Sequence, residues 1–364
     1  MKKSLPYLLI LFFILFNFQS LAQKAENLIL FTTDGLRWQE VFGGIDTMIA
    51  SDKQFTRDKS GLLEKYFDPD INIRRKKLMP FFWSKIATEG VVLGNRWKGN
   101  YMDVENNYWF SYPGYNEMLT GYADSLVNSN DKNPNQNITV LEYLNTQKGF
   151  QGRVAAFSTW DVIPYIINTS RNQIPVNSGI ELFVDNPGAT QLLLNDIQSL
   201  APKGHAERHD FLTYFQAREY LKIKQPKVLY ISLDDTDGLA HAGQYDDYLE
   251  AAHAFDNYLK NLWELCQSLP QYQNKTAFLL TTDHGRGDKT KSEWTSHGIR
   301  IKGASQIWAA ALGPGIAEIG EATSGQNMFQ SQIAATAAAA LGIDFKKNNT
   351  IPQKTIAPKL QIFH

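Results

Sequence analysis

Apolar and polar positions follow two rhythms along the chain. Five short β-branched and apolar runs, Asn27 to Thr33, Arg153 to Ser158, Lys227 to Leu233, Thr276 to Thr282 and Gln306 to Leu312, predict buried strands. Between them, helical spacing predicts helices over Val140 to Thr146, Ala189 to Ser199, Asp210 to Ile223, Asp246 to Leu269 and Phe329 to Leu341. Strands alternating with helices specify an α/β protein with a largely parallel central sheet and helices on both faces. Ligands of such sheets bind beyond the carboxyl ends of the strands, so polar residues that follow the strands share one rim.

The stripe Tyr248, Ala252, Phe255, Leu259, Leu262 and Cys266 repeats at intervals of four and three. It assigns Cys266 to packing, and as the one cysteine this residue forms no intramolecular disulfide. The polar segments Ser51 to Lys77 and Asn128 to Asn137 read as surface insertions, near 45–90 and 122–150. The basic run Arg74-Arg75-Lys76-Lys77 reads as a solvated helix start or loop, and the tail after Ile343 as an extended surface strap.

Composition changes the picture in two places. With 43% apolar and 20% charged residues among 364, the chain can bury a large core and is not disordered. Its 36 basic and 37 acidic side chains give a net charge of −1, which offers no broad electrostatic reason to bind nucleic acid. Lys2 and Lys3, the apolar stretch Leu5 to Phe18 and the small residues of Ser20-Leu21-Ala22 predict a secretory signal peptide over residues 1–22. An uncleaved anchor is the alternative, but the stretch falls short of the roughly 20 residues that span a bilayer. The expectation is a periplasmic or secreted protein without stable membrane insertion, with residues 23–364 forming a single catalytic domain.

Candidate chemistry gathers at the strand ends. Asp34 follows the first strand, Asp237 and His241 stand four apart after the third, Asp283-His284-Gly285 follows the fourth, and His297-Gly298 comes 13 residues after His284. Carboxylates with imidazoles suit zinc; six such groups are too many for one tetrahedral ion and about right for two. Two adjacent ions can stabilise both oxygens of an in-line displacement. Each piece alone also fits a turn or a helix cap. Ser111 lies in Phe110-Ser111-Tyr112-Pro113-Gly114-Tyr115-Asn116-Glu117-Met118-Leu119-Thr120-Gly121, where Pro113 suits a first helical turn. The serine there is either a helix cap or a nucleophile facing an anion site.

The ordered series Thr33-Asp34-Gly35, Ser111-Tyr112-Pro113 with Thr120-Gly121, Asp237 to His241 with Gly243, Asp283-His284-Gly285 and His297-Gly298 resembles the alkaline phosphatase superfamily. It is most similar to the branch of type I phosphodiesterases and nucleotide pyrophosphatases, and the match runs from about residue 27 to Gly313-Pro314-Gly315. The resemblance implies an alkaline phosphatase-like three-layer sandwich and two divalent metal ions, taken as zinc. It assigns Asp34, Asp283, His284 and the Ser111 oxygen to one ion, and Asp237, His241 and His297 to the other. It further implies hydrolysis of a small-molecule phosphoester through a phosphoserine at Ser111; it does not carry over substrate specificity, and the expectation here is a phosphodiesterase, with a phosphomonoesterase or sulfatase-like hydrolase as the alternative.

The chain departs from that branch at Gly114, where the relatives carry an asparagine that contacts phosphate; Asn116 is the substitute contact expected here. Sulfatases carry a Cys/Ser-x-Pro-x-Arg segment, and Tyr115 stands where the arginine would be. Related phosphoethanolamine transferases carry several membrane helices, which this chain lacks after its signal. Arg37, Lys98 and Arg286 are candidate cations for a monoester's extra charge. Tyr108, Trp109, Phe110 and Tyr112 either stack on a substrate ring or pack in the core. His205 and His209 lack a correctly placed Glu for a zinc-protease motif, since Glu207 does not directly follow the first His. They read as solvated or close to substrate; His253 and His364 have no partner. The non-enzymatic alternative is a metal-stabilised binding protein with a dead site.

Overall fold

The computed structural model describes residues 24–201, 207–325, 327–347 and 356–364; the expected signal peptide lies outside them. In chain order the strands are β1 (Asn27–Thr33), β2 (Gly90–Leu93), β3 (Met102–Asp103), β4 (Val154–Ser158), β5 (Val176–Ser178), β6 (Val228–Leu233), β7 (Thr276–Thr281), β8 (Ala309–Leu312), β9 (Gly320–Glu321) and β10 (Met328–Phe329). Eight of them form one sheet in the order β5-β4-β6-β1-β7-β8-β2-β9, and β3 pairs with β10 apart from it. Strand β8 runs antiparallel to β7 and β2, whereas the remaining pairs are parallel.

Side chains alternate along β1 between two helical layers, as a strand buried on both faces requires. Ile29 and Phe31 pack with Phe255, Leu259 and Leu262 of the Tyr245–Ser268 helix. Leu28 and Leu30 pack with Met118, Ile333 and Ala337 of the Ser111–Thr120 and Gln332–Ala340 helices. The architecture is therefore the expected three-layer sandwich. Cys266 is fully buried in the first layer, and burial pushes its thiol up to about 12, as packing rather than chemistry requires. No helix among the described residues is long and apolar enough to cross a membrane.

Two expected elements are shorter than the pattern implies. Gln306 bridges to Asp103 and the Ile307 N–H donates to the Met102 carbonyl, so β8 begins only at Ala309. Met328 and Phe329 pair with Met102 and Asp103, which delays the last long helix to Gln332. The basic run is a correction in place: it lies in the C-terminal half of the Ile71–Leu78 helix rather than at a helix start or in a loop, with Lys76 and Lys77 exposed. Its Arg75 is buried, 3.6 Å over the Trp83 ring and paired with Glu321 at 2.9 Å. Most of the Asn-rich stretch is exposed, and its buried Asn135 and Asn137 dock it as described below. The described part of the tail forms a strap that buries Leu360 and Ile362.

Asp256 shows how tightly the first layer is closed. It is buried on the Tyr245–Ser268 helix and accepts the Phe81 and Phe82 backbone N–H groups at 2.8 and 2.7 Å. Burial lifts its carboxyl to about 7, against the pull of those donors. The folded chain then holds a proton that the unfolded chain releases near pH ~4. The stability from this group is complete below about pH 4 and is lost as the pH rises to about 7. Asp256→Asn removes that part of the decline. Urea midpoints of wild type and variant at about pH 5 and pH 8 measure it, and equal declines in the two proteins refute it.

Candidate active site

The central strands end in register, Thr33 beside Leu233 and Thr32 beside Thr281, so the residues that follow them share one rim. Asp34 leaves β1, Asp283 and His284 leave β7, and the Asp235–His241 helix after β6 carries Asp237 and His241 one turn apart. His297 arrives from the segment after the Lys291–Thr295 turn. Ser111 is the first residue of its helix, and Phe110 occupies the cap position without a side-chain bond. Ser111 is therefore not the cap; its Oγ lies 3.4 Å from His284 Nε2.

The structure brings all seven sequence-derived groups together. His284 Nε2 stands 3.2 Å from Asp34 Oδ1 and 3.4 Å from Asp283 Oδ2. His241 Nε2 lies 2.9 Å from His297 Nε2 and 3.2 Å from Asp237 Oδ2, and His297 Nε2 lies 3.7 Å from Asp237 Oδ1. The two sets adjoin, with His284 Nε2 3.8 Å from Asp237 Oδ1. Asp34, Asp283 and His284 are fully buried, while His241 is open to solvent.

These groups fit divalent metal ions. Asp34 Oδ1 and Asp283 Oδ2 are buried without a hydrogen-bond partner, although buried carboxylate oxygens are normally satisfied. His284 Nδ1 lies 2.9 Å from the Gly285 carbonyl, which as an acceptor places the proton on Nδ1 and leaves the neutral ring's Nε2 lone pair facing the carboxylates. His241 and His297 point their Nε2 atoms at each other, and both cannot donate. Ligand atoms of Asp34, Asp283 and His284 lie within 4.8 Å of one another, as do those of Asp237, His284 and His297.

Electrostatics point the same way. Burial, then the neighbouring Asp237, holds the Asp34 carboxyl well above its ordinary range, and burial with Asp34 does so for Asp283. Burial also opposes ionisation of Asp237, but Arg286 beside it overrides that and keeps its carboxyl well below the usual range. His297 is driven down to about 2, chiefly by burial and then by His284. Buried acids held beside a neutral His297 imidazole call for a cation.

Asn116 is a correction. It is fully buried, donates to the Tyr122 carbonyl at 3.0 Å and accepts from Asn135 and Asn137 at 3.1 and 3.2 Å. Its amide oxygen fastens the Asn-rich stretch to the nucleophile helix, and the fully buried side chain presents no surface to a phosphate. Asn130 Oδ1 continues that fastening by accepting the Tyr112 N–H at 2.9 Å. Of the candidate cations, Arg37 is bound by Glu40 and Lys98 by Glu321; Arg286 alone reaches the site, bound to Asp237. Tyr112 is core, whereas Tyr108, Trp109 and Phe110 are half-buried beside it. His209 stacks on Phe211 and lies 3.7 Å from Asp235, His253 bonds the Leu78 carbonyl, and neither joins the ligand groups. His205 lies outside the described residues.

Several supporting contacts are not legible in the sequence. The Tyr115 hydroxyl donates to Asp34 Oδ2 at 3.0 Å, the Gly35 N–H donates to Asp283 Oδ1 at 3.1 Å, and the Gln330 amide donates to the Asp283 carbonyl at 2.7 Å. The one available signal was Tyr115 itself, in the position that sulfatases fill with arginine.

Residues 206–344 match the Metalloenzyme superfamily model; that segment contains Asp237, His241, Asp283, His284 and His297. No curated protein matches the sequence. Among solved structures, a variant of alkaline phosphatase PafA is similar with a TM-score of 0.60 and 11% identity, over 94% of this chain and 99% of that one. The lipoteichoic acid synthase LtaP from Listeria monocytogenes follows at 0.55 and 13%, over 89% of this chain and 74% of that one. A 2-O GAG sulfatase is similar at 0.51 and 14%, over 90% and 73%. At these identities the likeness is one of fold, and the fold is alkaline phosphatase-like.

Proposed function

We propose that this metalloenzyme-like chain hydrolyses small-molecule phosphate esters, phosphodiesters in preference to monoesters, with Ser111 as nucleophile and two zinc ions as cofactors. One observation carries the reading: the Ser111 hydroxyl and the unpartnered oxygens of Asp34 and Asp283 converge on His284 Nε2 at the start of a helix. Asp34, Asp283, His284 and Ser111 would hold one ion, and Asp237, His241 and His297 the other. Zinc bound there supplies Lewis-acid stabilisation of charge on the reacting oxygens and acidifies a bound hydroxyl.

The chain's own groups do the rest. The N-terminus of the Ser111–Thr120 helix favours the anionic phosphoryl group beside Ser111. Ser111 Oγ forms a bond to phosphorus as the ester P–O bond breaks; the serine proton passes to solvent, and the leaving oxygen takes its electron pair and then a proton. Water hydrolyses the phosphoserine and restores the hydroxyl. Tyr115, Gly35 and Gln330 orient Asp34 and Asp283.

The diester preference rests on charge. Arg37 and Lys98 are bound to Glu40 and Glu321, and Arg286, the one of the three that reaches the site, has its charge offset by Asp237, which favours a diester over the extra charge of a monoester. Zinc-loaded protein assayed on aryl phosphate diester, aryl phosphate monoester and aryl sulfate tests the reading. The expected result is at least about tenfold higher kcat/KM on the diester, about 1.4 kcal/mol of discrimination. Metal analysis should give two ions per chain, and chelation should abolish turnover and lower the melting temperature. Sulfate as the best substrate, or turnover indifferent to chelation, overturns it.

A further inference from the structure

The nucleophile helix contains a buried carboxylate that the reaction above does not use. Glu117 lies six residues after Ser111 and is fully buried. It accepts four N–H groups: from the backbones of Glu105 and Asn106 at 2.9 and 2.8 Å, from the Asn106 side chain at 2.9 Å and from the Ser331 backbone at 3.1 Å. Burial lifts its carboxyl to about 7 while the donors pull it down. An acid kept in the core at that disadvantage, with its oxygens shared among so many donors, is a clamp rather than packing.

The clamped segment is the approach to Ser111. Asn106 Oδ1, fixed by its own bond to Glu117, accepts the N–H groups of Tyr108 and Trp109 at 2.9 and 3.1 Å. Trp109 is held at φ 53°, a left-handed conformation that a bulky residue adopts only under constraint. Phe110 then returns to extended backbone and Ser111 opens the helix. A second arm passes through Ser331. Its neighbour Gln330 donates to the Thr282 and Asp283 carbonyls at 3.0 and 2.7 Å, and its own hydroxyl donates to Glu105. One carboxylate thus ties the loop into the nucleophile, the nucleophile helix and the segment that holds Asp283.

We propose that Glu117 is a positioning residue that, through Asn106, fixes the left-handed turn at Trp109 and so sets where the Ser111 hydroxyl stands relative to the Asp283 loop. The proposal rests on Ser111 being the nucleophile. Glu117 touches no reacting atom; it acts on the rate through geometry, where a displacement of about 1 Å can cost about 10²-fold.

Glu117→Gln keeps the volume and turns one acceptor into an N–H that opposes the backbone donors. In zinc-loaded protein it should lower kcat on an aryl phosphate ester by about 10- to 100-fold, with KM within about threefold and metal content unchanged. Rapid-mixing measurements should show slower Ser111 phosphorylation and unchanged phosphoserine hydrolysis. Hydrogen exchange over residues 104–111 should quicken. Asn106→Ala breaks the same relay one step later; it should show the same signature, and the double variant should be little worse than the poorer single. It also decides the matter if Glu117→Gln does not fold. A merely structural role predicts lower stability with unchanged phosphorylation in the folded fraction, and that result overturns the proposal. Ser111→Ala separates the two ideas: full activity there defeats the nucleophile itself, whereas an inactive Ser111→Ala beside fully active Glu117 and Asn106 variants defeats the clamp alone.

Discussion

Ser111→Ala should reduce turnover of a phosphate ester by about 10³-fold or more while the protein stays folded and binds its metal. Removing a nucleophile forfeits the covalent route, and what survives is binding and charge stabilisation of direct attack by water. The stability effect should be small, within about 1 kcal/mol, because Ser111 does not cap its helix: Phe110 occupies that place, and the serine oxygen faces His284 at 3.4 Å. The other groups of its cluster, Asp34, Asp283 and His284, bring three ligand atoms together without the hydroxyl. Steady-state kinetics with metal analysis on one sample checks both halves. Substantial residual turnover with metal bound would assign attack to water and demote Ser111 to a bystander.

The parts of this fold that were legible are those in which local pattern and burial agree. β1 is found over the residues its apolar run marks, and every member of the Tyr248 to Cys266 stripe is buried on the helix that spacing predicts. The short strands were not legible, because β2 and β9 hold four and two residues, too few to carry a period. Pairing defeated pattern at Gln306 and Met328, whose partners lie more than two hundred residues away around Met102. The clustering of Asp34, Asp237, Asp283 and His284 followed from strand ends, since a parallel sheet delivers such residues to one rim. Asn116 and Arg75 depart from the sequence expectation for a common reason. Whether a polar side chain meets water, substrate or another buried group is decided by tertiary partners, here Asn135 with Asn137 and Trp83 with Glu321.

Gly114 makes the second large prediction, and it runs against the family resemblance. The branch that the sequence resembles carries asparagine here, so Gly114→Asn looks like a restoration. In this chain a Cβ at 114 would lie 2.4 Å from the Asp283 carbonyl oxygen and 3.1 Å from its carbon. That approach is far inside van der Waals contact and involves backbone on both sides. Neither side can yield cheaply. The Asp283 carbonyl is held by Gln330, and the helix is held by Glu117 and by the Asn116 bonds to Asn135 and Asn137. Gly114→Ala should therefore push Ser111 away from the Asp283 and His284 groups. It should lower kcat/KM by about 10²-fold and destabilise the fold by about 1–3 kcal/mol. Gly114→Asn should be at least as damaging. Urea unfolding and steady-state kinetics of both variants check this. Wild-type activity in Gly114→Asn would mean that the helix and the Asp283 loop separate freely, and that the close packing of nucleophile against metal-binding loop is not what the chain relies on.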